Sequence, residues 1–281
     1  MTDDSLVPAY SQQFTVDALQ QMVAVGPIAA FTPEWAWGGS TGQGVRVAVV
    51  DSGIEYDHPA VGGQVRGGLI IEYDETAENH VRYDPDDQPQ DASGHGTACA
   101  GIIHSLAPEA ELYSVRVLGR NMRGRAIQFA AGLDWVVENK MDVANLSLST
   151  SRQEYYAMLH EITDSAYFKN VVLVSAVNNI PEPSYPSLYS SVISCAAHAG
   201  HDPLTYYYNP SPPVEFGAPG IDVRVAWKDH QYMISTGNSF AAPHITGIVA
   251  LIRSKHPELT PFQIKTVLWA CAANVRRVET G

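Results

Sequence analysis

Three polar residues of the 281-residue chain have the types and surroundings that nucleophilic catalysis requires. Asp51 closes the apolar run VRVAVVD (45–51) and is followed by Ser-Gly, which breaks a strand at that point. His95 lies in GHGTACAGII, an imidazole among small residues at the start of a helical period. Ser239 lies in STGNSFAAPHITGIVALI, entering a long apolar helix whose first-turn N–H groups and dipole favour negative charge developing near the hydroxyl. A serine hydroxyl is a poor nucleophile until a base takes its proton, and an imidazole base needs a carboxylate to fix its tautomer. The chain supplies all three groups, in the order Asp, His, Ser.

The elements that must hold these residues alternate in type. VRVAVVD and ELYSVRVL (111–118) read as strands buried on both faces, the kind found in parallel sheets. VANLSLS (143–149), VVLVSAV (171–177) and SVISCAA (191–197) are further strands. Ile127, Phe129, Ala130, Leu133, Val136 and Val137 form one helical stripe within 125–139. Helices are also expected over about 153–167, from Ser239 through Lys255, and from Pro261 to about Ala273. This order predicts an α/β fold with a central, mainly parallel sheet flanked by helices, as one domain over 26–281 behind an N-terminal extension, 1–25. The Pro- and Gly-rich stretches 181–187 and 209–220 read as loops. Residues 72–91, with eight carboxylates against one Arg, read as a solvated acidic loop, with weak cation binding as the alternative.

The blocks DSGIEYDHP, SGHGTACAG and GNSFAAPHITG resemble, in order, the three signatures of the subtilisin-like serine proteases, and the resemblance extends from about residue 25 to 273. It implies a three-layer subtilisin-like fold and a serine endopeptidase, of a processing kind, in which Asp51 orients His95, His95 takes the proton of Ser239, and Ser239 forms an acyl-enzyme. The family also uses an Asn side chain as oxyanion donor after an apolar strand. Asn178 is expected to take that position, with Val177 where Gly is usual, and Asn179 one position on is the alternative. Peptide would bind as an added β-strand between Ser147, Leu148 and Ser149 on one wall and the loop from Asn121 to Arg125 on the other. Ser149, Val177 and Ser184 would narrow the first pocket. Arg123 and Arg125 would favour acidic residues before the cut, whereas Arg116 belongs to the preceding strand.

Departures from the family pattern carry information too. Asn238 precedes Ser239 where Thr is usual, and Cys99 falls on the helix behind His95. Ala60 replaces the Asp of the family's tight calcium site, and IIHSLAPEA passes straight to the next strand without the calcium loop, so neither metal nor cofactor is expected. LVPAY at 6–10 is loosely similar to a motif that blocks the cleft in intracellular members. Two further readings use the same residues: a peptide ligase or macrocyclase intercepting the acyl-enzyme with an amine, and a catalytically dead peptide-binding module.

Composition narrows the partners. A formal net charge of -13 argues against nucleic acid and against anionic membrane surfaces. Apolar runs such as GIVALI (247–252) fall far short of the ~20 residues that cross a bilayer. Cys99, Cys195 and Cys271 are odd in number, widely spaced and set in apolar surroundings, which favours buried thiols in a reducing compartment. MTDDSLVPAY opens on acids rather than the basic and apolar regions of a signal peptide, so a cytoplasmic protein acting on peptide or protein substrates is expected.

Overall fold

A computed structural model describes residues 31–85 and 90–275, together with Asp17 and Gln20. The chain divides into two compact units, Met1–Phe31 and Thr32–Gly281, and all the elements below belong to the second. Apart from Asp17 and Gln20, the expected extension over 1–25, with LVPAY, lies outside the described residues.

After a short helix α1 (Pro33–Trp37), the strands are β1 (Arg46–Asp51), β2 (Gly53–Ile54), β3 (Val65–Tyr73), β4 (Val81–Pro85) and β5 (Gln90–Asp91). Helix α2 (His95–Leu106) leads to β6 (Glu111–Arg116), α3 (Ala126–Glu138), β7 (Val143–Leu146), α4 (Tyr156–Phe168) and β8 (Val172–Ala176). Strands β9 (Ile193–His198), β10 (Tyr207–Tyr208), β11 (Phe216–Pro219), β12 (Val223–Trp227) and β13 (Gln231–Ser235) precede helices α5 (Asn238–Lys255) and α6 (Pro261–Cys271).

Nine strands form one sheet in the order β10-β11-β9-β8-β7-β1-β6-β3-β4. Every pair between β11 and β3 is parallel, and only the edge strands β4 and β10 run antiparallel to their neighbours. The strands read from apolar runs are those at the centre. β7 and β8 are buried throughout and β1 almost throughout, as expected for a sheet covered on both faces. Ala48 and Val50 of β1 face a core built with Leu133 and Val136 of α3 and Leu159 of α4. By the two-residue period of a strand, Val47, Val49 and Asp51 face the opposite layer, where α2 and α5 lie. Helix α5 is buried on every side from Phe240 to Arg253, which explains a sequence apolar all round rather than amphipathic.

Two expectations are corrected. Part of the stretch read as a solvated loop is strand: Leu69–Tyr73 pairs antiparallel with Val81–Pro85 at the sheet edge, with 74–80 as the turn between them. Two of the acids, Glu72 and Asp84, lie on that hairpin and both pair with Arg82. Within 209–220, Phe216–Pro219 adds to the sheet beside β9, because Pro219 takes the last position of the strand, where the N–H it lacks is least needed.

Candidate active site

The carboxyl ends of parallel strands are where an α/β sheet presents its functional groups. Asp51 ends β1, Ser147 follows β7, Val177 follows β8, and the loop from Val117 follows β6. Asp51 is fully buried, and both of its oxygens accept from His95 Nδ1, at 2.8 and 2.9 Å, while Oδ1 also accepts the Ser52 N–H at 2.8 Å. A carboxylate can only accept, so Nδ1 carries the ring proton and Nε2 is left basic. Burial pushes the His95 pKa down, but the charge and hydrogen bond of Asp51, with the charge of Asp91, outweigh it and hold the ring above the ordinary histidine value.

His95 is the first residue of α2, whose orphan N–H groups are all met by side chains. Asp91 Oδ1 accepts from Gly94 N at 2.8 Å, Ser93 Oγ from His95 N at 3.2 Å, Ser52 Oγ from Gly96 N at 3.1 Å, and Asp91 Oδ2 from Thr97 N at 2.8 Å. A Cβ on Gly96 would lie 2.0 Å from Gly53 O, so only glycine lets the helix approach the end of β1 closely enough for the Asp51–His95 contact. Asp91, Ser52 and Thr97 were not singled out in the sequence. A carboxylate four residues before His95 is a capping signal that could have revealed the first.

Ser239 is the second residue of α5. Its carbonyl would normally accept from the N–H four residues on, but that residue is Pro243, which has none. The Ser147 hydroxyl donates to it instead at 2.8 Å, with the Cys99 thiol at 3.6 Å. Cys99 Sγ also lies 3.8 Å from Asp51 Oδ2, and the His95 ring packs 5.5 Å from the ring of Phe240, so the surroundings of all three residues meet. Burial pushes the Cys99 thiol well up, aided by the Asp51 charge, which keeps it neutral.

The two asparagines after β8 have different roles. Asn178 is held by three bonds: its N–H donates to Ser184 Oγ at 3.1 Å, its carbonyl accepts from Asn238 Nδ2 at 2.9 Å, and its Oδ1 accepts from Ile180 N at 3.3 Å. Asn179 Oδ1 accepts the Asn238 N–H at 2.9 Å, which anchors its amide at the start of α5. A methyl group at Gly237 would sit 3.2 Å from Ser239 Oγ and 3.7 Å from Asn179 Nδ2, so these two atoms border one small volume. Between the two expected positions, the geometry favours Asn179 over Asn178 as the amide beside Ser239. The unusual Asn238 is a rivet: its side chain also accepts from Ala197 N at 2.8 Å and donates to Val177 O at 3.3 Å.

A cavity of about 930 Å³ runs between the two expected walls, lined by Ser147, Leu148 and Ser149 on one side and Arg123 and Arg125 on the other. Val177 and Ser184 do not line it. Ser184 is buried beneath the 178 loop, bonded to Asn178 N and Ser187 Oγ. Arg116 and Arg120 border a separate cavity of about 320 Å³ with Glu55 and Asp91, so the four arginines of 116–125 divide between two places. Tyr73, His80, Arg152 and Tyr155, which also line the larger cavity, come from distant segments that no local pattern links to it. Two groups among the described residues have ligand atoms close enough to hold a metal ion: Asp51, His95 and Cys99, and the exposed-to-half-buried Glu55, Asp57 and His230, whose ring pairs with Asp57 at 3.3 Å.

The Subtilase family profile matches residues 42–280. Subtilisin BL of Lederbergia lenta is 34% identical over 241 residues, covering 82% of this chain and 84% of that protein. The minor extracellular protease Epr of Bacillus subtilis is 32% identical over 244 residues, and the match covers 82% of this chain but only 35% of Epr. M-protease of Shouchella clausii is 34% identical over 241 residues, covering 82% of this chain and 59% of its own length. Among solved structures, a cold adapted subtilisin-like serine proteinase superposes with a TM-score of 0.66 at 25% identity, covering 84% of this chain and 86% of the other. With the signature blocks, the mainly parallel sheet and these matches in agreement, the chain belongs to the subtilase family of serine endopeptidases.

Proposed function

We propose that this chain hydrolyses internal peptide bonds through Ser239, His95 and Asp51. His95 Nε2 takes the proton of Ser239 Oγ as the oxygen attacks the scissile carbonyl carbon, and Asp51 stabilises the imidazolium that forms. The tetrahedral oxyanion accepts hydrogen bonds from Asn179 Nδ2 and from backbone N–H at the start of α5. Collapse breaks the C–N bond, and the leaving amine takes the proton from Nε2. Water then attacks the acyl-enzyme by the same proton route and frees the acid and Ser239.

The observation that carries this reading is the buried Asp51–His95 pair at the start of α2, which leaves Nε2 as the basic nitrogen. A cleft with a distinct set of charges suits cleavage at chosen sequences, the processing role. Ser239→Ala should abolish hydrolysis of an internally quenched peptide and labelling by a fluorophosphonate, with an unchanged melting temperature. Unaltered hydrolysis in that variant would refute the assignment. Mass spectrometry of the parent's products should show free acids; joined peptides would show transfer to an amine instead.

A further inference from the structure

The large cavity has an unusual electrostatic make-up for this molecule. The chain carries 30 acidic residues against 17 Lys and Arg, yet no carboxylate lines the cavity among the described residues, whereas Arg123, Arg125 and Arg152 do. The floor is apolar, built from Val117, Leu118, Phe129 and Leu148, and the arginines stand at the rim. Ala126, at the start of α3, leaves space above that floor.

The cations differ in what already holds them. Arg152 pairs with Glu154 at 3.1 Å, both exposed. Arg125 sits over the ring of Tyr73, with Cζ 3.6 Å from the centroid, and neither Arg123 nor Arg125 pairs with a carboxylate among the described residues. Of the acids near Tyr73 on the edge hairpin, Glu72 and Asp84 are engaged by Arg82 and Asp74 by the Thr76 hydroxyl at 2.6 Å, while Glu75 and Glu78 are exposed in the turn. A guanidinium stacked on an aromatic face is oriented without losing its in-plane N–H donors, which remain matched to a carboxylate. The loop itself is set by its backbone, with Gly119 N bonded to Arg123 O at 3.0 Å and Asn121 Oδ1 accepting from Arg123 N at 3.2 Å.

We propose that the cleft selects acidic peptides: Arg123 and Arg125 hold an Asp or Glu side chain two to four residues before the scissile bond. The inference rests on the endopeptidase reading above and names the substrate class of that site. Ser147, bonded to the Ser239 carbonyl, marks the reacting end of the cavity, and an extended peptide advances about 3.3 Å per residue from there along the 147–149 wall. A side chain from that segment projects towards the opposite wall, where its methylenes cover the apolar floor and its carboxylate meets the guanidinium edge. Glu reaches the rim with more of its stem buried than Asp does, so Glu is the preferred residue.

The test is a positional scan of internally quenched peptides differing only by Glu, Gln, Lys or Phe at each of those three positions, at about 0.1 M salt. A contact partly shielded by the bound peptide should raise kcat/KM for Glu over Gln at one position by at least about tenfold, beyond the roughly fivefold that an exposed pair can give. In Arg123→Gln/Arg125→Gln the Glu:Gln ratio should fall towards one, and in Arg125→Glu it should invert in favour of Lys. Equal rates for Glu and Gln in the parent, or Phe preferred at every position with no gain from Glu, would overturn the inference while the Gln peptide's turnover keeps the endopeptidase reading intact. If no peptide is cut, that reading fails by itself. Polarisation binding of fluorescent Glu and Gln peptides to Ser239→Ala then decides the inference without chemistry, tighter binding of Glu supporting it and equal binding refuting it.

Discussion

In the proposed mechanism the pair Asp51–His95 sets the pH behaviour of the site, because only a neutral imidazole can take a proton from Ser239. Activity should therefore rise with pH through the His95 pKa, and since Asp51 and Asp91 outweigh the effect of burial, the midpoint should lie above the ordinary histidine value of 6.5. Asp51→Asn removes the charge that lifts the ring and leaves burial to dominate, so the acid limb of kcat/KM should move to lower pH as kcat falls about 10⁴-fold. An acid limb that stays in place would mean that Asp51 does not control His95. The two asparagines give a second residue-scale prediction. Asn179→Ala should lower kcat about 10²–10³-fold with little change in KM, as removal of such a donor does in a subtilisin. Asn178→Ala, whose side chain accepts only the Ile180 N–H, should cost less than about tenfold. The reverse ranking would return the donor to Asn178. Asp51, His95 and Ser239 stand out in the sequence through their three signature blocks and because each lies at the edge of a strand or helix pattern. The amide is harder to read, because two adjacent asparagines look alike until contacts such as the Asn179–Asn238 bond separate them.

Helix α5 holds Ser239 by a device that spans three elements. Pro243 frees the Ser239 carbonyl, and Ser147 after β7 and Cys99 on α2 reach across to it, so strand, helix and serine share one register. Ser147→Ala leaves that carbonyl with only a weak thiol donor and leaves Asn145 Nδ2 without its 3.0 Å acceptor, a loss of about 1–3 kcal/mol in stability. Lower kcat should accompany it as the first turn of α5 loosens. Adding Pro243→Ala restores a helical N–H for the Ser239 carbonyl, so the double variant should recover part of both losses. A double variant no better than Ser147→Ala, by denaturation and kcat together, would rule the device out. The elements themselves were unequally legible. Central strands showed as apolar runs because both of their faces are covered, and α3 showed as a stripe because one face is. The hairpins β3–β4 and β12–β13 escaped notice, since their strands are half exposed and mix charges with apolar residues; β13 in particular is exposed along nearly its whole length.

At the scale of the whole molecule, the two segments where the sequence departs from the family's calcium pattern are held by protein hydrogen bonds. The turn Pro59–Val61 contains Ala60 in place of a carboxylate, and His58 organises it from both ring nitrogens: Nδ1 accepts from Ala60 N at 3.0 Å, and Nε2 bonds Gln231 O of β13 at 3.1 Å. Between α2 and β6, Ala107 and Ala110 are fully buried, and the N–H groups of Ala107, Glu109 and Ala110 bond Ile103 O, Thr41 O and Ala107 O. These contacts satisfy the backbone N–H groups of both segments with protein acceptors. The melting temperature at neutral pH should therefore change by less than about 2 °C in EDTA, since about 1 kcal/mol moves a domain of this size by about 2–4 °C. His58→Ala, which removes both bonds of a buried ring, should by contrast lower it by about 4–8 °C, equivalent to about 2 kcal/mol. A fall in EDTA as large as that of the His58 variant, reversed by added calcium, would mean that a structural cation supports the fold. The first side chains to test would then be Glu55 and Asp57, which meet His230 of the β12–β13 turn beside His58.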